Sequence, residues 1–422
     1  MHERGERGAV LVLPVRTAAA GEPVAAWATT GGWAAGAERV LGSAWVLSDV
    51  GIFDPVSALA RVSLSGSARE GVSPRSPLRS RLRSLLPEAP ITLAKDVRRA
   101  LDGLRRARAV DATPWRDRNL AFVWQRHELF RRCGVHLARS LHVPLVLSVH
   151  ALQVEEAAGW GVRRPGWRRL AERYGELPQL RAADIVACVS TGVAESVAAR
   201  GIPERRILVT PNGVDVDRFR PGPPNPELRE QLGLTGRFVV GWSGSFRGFH
   251  GLDVALEAMA QLQETRPDAA LLLVGDGQQR SAIAARAAEL GLRSVVFAGA
   301  VPFDDVVRHL RLCDAGLVLA PASGSFHYSP VKLREYLATG LPVIAHDVGE
   351  LSATLTHERD ALLVPRADPA ALARAVDRLA DDNSLRDRLR ARGPALARER
   401  WSWEQPVRDV LERLAEQRAP RP

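Results

Sequence analysis

Three cysteines in 422 residues leave no disulfide framework to build on. Cys133, Cys188 and Cys313 lie far apart, without metal-ligand spacing, and read as small buried apolar residues. A reducing cytoplasm suits them. Lysine is scarcer still. Lys95 and Lys332 are the only two, so the net charge of +10 is almost wholly arginine. Aromatic residues make up only 5% and no nucleic-acid module is recognisable, which argues against a nucleic-acid partner. No apolar run is long enough to span a bilayer. The opening Met-His-Glu-Arg-Gly-Glu-Arg leads to an apolar run that stops at Pro14, which is neither a signal peptide nor a span. The expected location is the cytoplasm, with peripheral contact at the inner face of the membrane as the one membrane role left open.

What is present is an ordinary globular composition, 46% apolar and 25% charged, in a chain too long for one core. Two or three domains are expected. From residue 237 onward the pattern alternates strand and helix. Strands are predicted at 237–243, 269–275, 294–299, 315–319, 342–346 and 361–364. Helices are predicted at about 251–264, 278–291, 303–312, 330–339 and 368–381, and residues 383–417 read as helical, with Trp401 and Trp403 near a break. Apolar strands joined by amphipathic helices predict a parallel sheet covered on both faces. Ligands of such sheets bind at the carboxyl ends of the strands.

The first half alternates less cleanly. Ala9–Val15, Ala44–Ser48, Pro144–His150 and Ala183–Ser190 read as strands. Trp33–Leu41, entered through Gly31-Gly32, reads as a helix, as do Glu128–Leu141 and Thr191–Arg200. Residues 66–90 are rich in Ser, Pro and Arg. They predict a mobile loop and a short basic helix, Leu78–Leu86, suited to a solvated face or to anionic lipid. The basic segment 159–176 carries Arg163 and Trp167 and is expected to face a ligand cleft.

The most informative stretch runs from Phe326 to His346. Ser329 and Pro330 read as an N-cap and a first-turn proline, and Gly340 as a C-cap. The helix between them carries Lys332 in its first turn and Glu335 farther on. A helix N-terminus with a cation beside it is suited to an anion, and Glu335 to hydroxyls. A diphosphate next to a ribose satisfies both. Two further loops follow strands. Gly244-Ser245-Phe246-Arg247-Gly248-Phe249-His250-Gly251 offers close backbone approach, with Arg247 and His250 placed for a diphosphate. Gly275-Asp276-Gly277 superficially suggests a dinucleotide fingerprint, but Arg280 stands where the third glycine belongs. Its primary reading is a tight turn. Asp215 and Asp217 lie in a linker and read as structural.

The stretch from His327 to Gly340 resembles the donor-site signature of glycosyltransferase family 4. The commoner form of that signature has two glutamates, Glu-x7-Glu. Here His327 holds the first position and Glu335 the second, and Ser329-Pro-Val-Lys332-Leu-Arg-Glu335-Tyr336 matches a known variant. Ile207–Phe219, Val239–Gly251, Leu271–Gly277, Leu141–His150 and Ala183–Ser190 resemble other parts of the family, which together cover roughly residues 120–400. The first hundred residues match poorly. The resemblance implies an α/β protein of the GT-B type, with two Rossmann-like doubly wound domains facing across a cleft. Residues 1–209 would form the acceptor domain, 210–398 the donor domain, and 399–422 a helix packing back on the first.

It also implies a retaining transfer of sugar from a nucleotide-diphosphate sugar, with no metal and no cofactor beyond that co-substrate. His150, Arg247 and Lys332 would take the catalytic roles. Gly244, Ser245, His250, Gly277, His327, Tyr328, Ser329, Pro330, Val331, Leu333 and Glu335 would bind the donor. Gly31, Gly32, Arg163 and Trp167 are candidates on the acceptor side, where Gly31-Gly32 reads equally as a helix-entry turn. The acceptor would be a carbohydrate, a lipid-linked or a small-molecule hydroxyl. Ser245, His250 and His327 depart from the family pattern. A GT-B epimerase and an inactive nucleotide-sugar-binding homologue therefore stay open, with an NAD-dependent dehydrogenase as a distant third.

Overall fold

The computed structural model of the protein describes residues 7–15, 24–67, 88–247, 250–322 and 329–419. They divide into two compact units. Residues up to Asn212 form the first, together with Ser329 and the stretch from Trp403. Gly213–Ser402 otherwise form the second.

The first unit holds seven strands: β1 (Arg7–Val12), β2 (Gly42–Ser48), β3 (Gly51–Phe53), β4 (Leu120–Arg126), β5 (Leu145–Val149), β6 (Ile185–Cys188) and β7 (Ile207–Val209). Their order is β3-β2-β1-β4-β5-β6-β7, parallel throughout except for the β2–β3 hairpin. β5 and β6 are buried at every residue, as strands covered on both faces must be.

The second unit holds six strands: β8 (Phe238–Ser243), β9 (Ala269–Val274), β10 (Val295–Gly299), β11 (Ala315–Val318), β12 (Val343–His346) and β13 (Leu362–Val364). They run parallel in the order β10-β9-β8-β11-β12-β13. One apolar cluster, including Leu256, Met259 and Leu372, covers one face. Another, including Leu333, Tyr336 and Leu396, covers the other. In each sheet the chain reverses its direction of growth once, between β1 and β4 and between β8 and β11. Loops at the carboxyl ends of such a pair splay apart, and the crevice between them receives ligands.

Several sequence expectations are corrected. The helix expected at Trp33–Leu41 spans Val24–Leu41, so Gly31 and Gly32 lie inside it and not at its entry. The reason is close packing. A Cβ on Gly32 would sit 2.2 Å from the Trp403 ring, and one on Gly31 2.9 Å from Leu59. The helix expected from Glu128 begins at Cys133. Strand β4 and the long helix Glu88–Ala109 were not anticipated. The basic helix expected at Leu78–Leu86 lies outside the described residues. The terminal helical stretch breaks near Trp401 and Trp403, as expected, into Asn383–Arg400 and Glu404–Arg418. The second packs within the first unit, where Arg413 donates to the Ile207 carbonyl at 3.2 Å and Gln417 to the Arg205 carbonyl at 3.0 Å. Cys133, Cys188 and Cys313 are free and buried.

Candidate functional site

The β8 carboxyl end begins the site in the second unit. Trp242 is fully buried there and meets Phe246 edge-on at 5.1 Å and His250 at 5.3 Å. Gly244 follows with φ +148°, a conformation that L side chains rarely adopt, and a Cβ there would stand 3.0 Å from Lys332 Nζ. The β9 turn packs against this loop. The Phe246 N–H donates to the Asp276 carbonyl at 3.1 Å, and the Gln279 N–H to the Phe246 carbonyl at 2.9 Å. A Cβ on Gly277 would meet Phe246 N at 2.7 Å. Gly277 therefore serves loop packing, in keeping with the structural reading of Gly-Asp-Gly.

The helix Val331–Thr339 supplies the other wall. Its C-cap is Gly340 in the left-handed region, as the sequence predicts. Its N-cap is a correction. Pro330 holds that position, with no side-chain hydrogen bond to the first turn. Ser329 is not the cap, because its Oγ accepts the Asn212 N–H at 3.3 Å. Asn212 Nδ2 also donates to the Ser329 carbonyl at 3.0 Å. Among the described residues no side chain caps the Val331 and Lys332 amides, the arrangement that favours an anion. Arg334, wholly buried, steadies the turn by donating to the Pro330 carbonyl at 3.0 Å while stacking on Trp401. Tyr336 ties the helix to β8: its hydroxyl accepts the Ser243 N–H at 2.7 Å. Leu333 faces the core.

Lys332 is the centre of this geometry. Its ammonium lies 4.1 Å from the centroid of the Trp242 ring and finds no hydrogen-bond partner among the described residues. Burial pushes its pKa down to about 7, against the opposing pull of Glu335. The Glu335 carboxyl, three residues on, is buried and pushed up to about 7 by burial, with Lys332 and Arg218 holding it back. Burial and the neighbouring Lys332 and Arg247 push the His250 ring down to about 2, so it is neutral at physiological pH. Arg247 is exposed, and Ser245 is half-buried. His327 and Tyr328 lie outside the described residues. The sequence reading missed Trp242 and Arg334, which a composition scan treats as core and surface residues.

In the first unit, His150 follows β5 and its Nε2 lies 3.0 Å from Arg126 Nη1. A guanidinium only donates, so Nε2 is the acceptor and the neutral ring carries its proton on Nδ1. Burial, Arg126 and His127 hold the ring well below the usual histidine range. Arg126 also donates to Thr29 Oγ1 at 3.0 Å, and Trp33 lies 5.5 Å from the imidazole. Nearby, a cavity of about 270 Å³ opens at the β1 and β4 ends, between Pro14, Arg98, Asp102, Glu128, Arg131 and Gln153.

The remaining acceptor-side candidates are not gathered here. Gly32 is filled against Trp403, and Arg163 is exposed. Trp167 is drawn aside, its Nε1 donating to Asp96 at 3.2 Å beside the buried Arg164–Asp96 pair at 2.7 Å. Asp215 caps a turn, its Oδ1 accepting the Asp217 and Arg218 N–H groups at 3.1 Å. Among the described residues, no cluster of three or more His, Cys, Asp or Glu is arranged to hold a metal, and no helix is long and apolar enough to cross a membrane.

Residues 71–218 match the family described as Glycosyltransferase Family 4, and residues 237–382 match Glycosyl transferases group 1. A D-inositol 3-phosphate glycosyltransferase from Acidothermus cellulolyticus is 32% identical over 332 residues, covering 74% of this chain and 71% of that protein. Among solved structures, a glycosyltransferase from Rickettsia africae aligns with TM-score 0.67 at 17% identity, over 98% of both chains. Anabaena Alr3699/HepE, solved with UDP-glucose, aligns at 0.65 with 18% identity, over 97% of this chain and 99% of that one. At these identities the two structures speak for the fold, which is GT-B. The chain is a member of glycosyltransferase family 4.

Proposed function

We propose that the chain moves a sugar from a nucleotide-diphosphate sugar to an acceptor hydroxyl, with retention of anomeric configuration and without a metal. The observation that carries this reading is Lys332, a buried ammonium without a hydrogen-bond partner among the described residues. It sits in the first turn of an uncapped helix whose next turn presents Glu335. Such a group is costly unless an anion completes it. A diphosphate supplies that anion and reaches the Val331 and Lys332 amides at the same time. Glu335 then accepts the ribose hydroxyls.

In the reaction, the bond from the anomeric carbon to the diphosphate oxygen breaks, and positive charge grows on the sugar. Lys332, the helix amides and Arg247 stabilise the charge left on the leaving oxygen. The acceptor oxygen bonds to the same face of the anomeric carbon. Its proton passes to the departing diphosphate, so no protein nucleophile is assigned. His150, with its proton on Nδ1, is a hydrogen-bond donor to sugar or acceptor and not a base at Nε2.

The test is transfer by the full chain in excess EDTA. UDP-glucose, bound by Alr3699/HepE, is the first donor, and inositol 3-phosphate, named for the Acidothermus relative, the first acceptor. Wider panels of each follow, and product anomers are read by NMR. An α-linked product from an α-donor with EDTA present supports the reading. Activity restored only by magnesium or manganese, or an inverted product, overturns it.

A further inference from the structure

The helix Glu88–Ala109 presents an apolar face to solvent. Leu93, Val97, Leu101 and Leu104 are 42%, 50%, 54% and 49% exposed. At 100° per residue they fall within an arc of about 80°, one continuous stripe along the helix. Scattered exposed leucines are ordinary, but a stripe along one helix marks an interaction surface. One flank is cationic: Arg105, Arg98 and Lys95 follow the stripe around the helix, and Arg108 extends the stripe at its carboxyl end. Lys95, Arg98, Arg99, Arg105 and Arg108 are all exposed, against Glu88 as the exposed acid. The helix's other carboxylates are engaged, Asp96 by Arg164 at 2.7 Å and Asp102 by Arg131 at 2.6 Å and Arg106 at 3.1 Å. These pairs, with Gly103 and Ala107 buried, lock the helix onto the unit.

We propose that this helix docks the protein on an anionic lipid bilayer. Apolar side chains on one arc enter the boundary between headgroups and acyl chains, and the cations beside that arc meet the headgroup charge. A second copy is a poor occupant, because two such faces bring five exposed cations against five. The surface differs from the segment Leu78–Leu86 that the sequence alone singles out. It also places the cavity walled by Arg98 and Asp102 on the same helix as the docking stripe. The inference does not depend on glycosyl transfer, since vesicle binding is read without activity.

The test is co-sedimentation of the full chain with vesicles of phosphatidylcholine alone and of equimolar phosphatidylcholine and phosphatidylglycerol, over a salt series. Wild type should prefer the anionic vesicles and release as salt rises. The double variant Leu101→Glu, Leu104→Glu should lose roughly tenfold or more of that partitioning, while Leu101→Met, Leu104→Met should keep it. Arg105→Gln with Arg108→Gln should weaken binding several-fold and flatten the salt dependence. All these side chains are exposed, so unchanged thermal midpoints confirm intact folding. Equal binding of wild type and the glutamate variant would show attraction by overall charge alone and overturn the proposal. So would a dimer in sedimentation velocity, without vesicles, that the glutamate variant dissolves.

Discussion

Two strand-end clusters, one in each unit, hold their polar groups in opposite ways. At the β8 end, Lys332 and Glu335 are buried, oppositely charged and both displaced toward neutrality, and the ammonium lacks a hydrogen-bond acceptor among the described residues. At the β5 end, His150 has a donor at 3.0 Å, and that donor is itself bonded to Thr29. Under the proposed function, an anion completes the first cluster. The other has its tautomer set in advance. Under the proposed function the two clusters do different work: binding and leaving-group stabilisation in the second unit, orientation of hydroxyls in the first.

Removing the unsatisfied cation should break the contrast most sharply. Lys332→Met keeps bulk over Trp242 and should lower turnover by roughly 10²–10³, the scale of losing one preorganised stabilising group. Wild-type turnover in this variant would reduce Lys332 to a packing residue. His150→Ala should come next, with transfer down by about a hundred-fold and nucleotide affinity nearly kept. If affinity collapsed as well, His150 would hold the donor or the fold. Glu335→Gln keeps shape and should weaken nucleotide binding roughly tenfold, the worth of one charge-assisted hydrogen bond. Unchanged calorimetric affinity would remove Glu335 from the ribose site. The smallest effect is expected from Arg126→Met. It frees His150 Nε2, so nitrogen NMR of the imidazole should change from one tautomer to a mixture, with turnover down only a few-fold. An unaltered histidine spectrum would show that Arg126 does not set the tautomer.

The second unit was legible because period and punctuation agree there. Each strand is an apolar run ended within three residues by Gly, Pro or His, and Gly340 closes its helix where Pro342 forbids continuation. The first unit hid more. Leu120–Arg126 is short and bears Gln125 and Arg126, which reads as a broken run. Yet Gln125 is buried and satisfied by the Gly134 N–H at 2.6 Å and by Gln179 at 2.8 Å. Long-range pairing of this kind leaves no local signal. Glu88–Ala109 escaped because its exposed stripe and its buried Asp96 invert the usual pattern of apolar inside and charged outside. Arg126 was missed for a related reason: one arginine among many shows no sign of its role until His150 lies beside it. Ser329 was misread as a cap because a serine before a proline and a helix is locally sufficient, and the competing Asn212 N–H lies 117 residues away in sequence.

The central claim, that Lys332 receives a diphosphate, has its most direct test in the pH dependence of nucleotide binding by calorimetry. In the free protein the lysine sits at about 7, so it loses its proton through neutral pH. A bound diphosphate favours the ammonium and raises that value, so binding takes up a proton. Affinity for a nucleoside diphosphate should then fall as pH rises from about 7 to 9, by up to tenfold per unit. Two buffers of different ionisation heat should reveal the proton uptake. Lys332→Met should bind more weakly and show no such slope. A wild-type affinity that is flat over this range, matched by the methionine variant, would contradict the account.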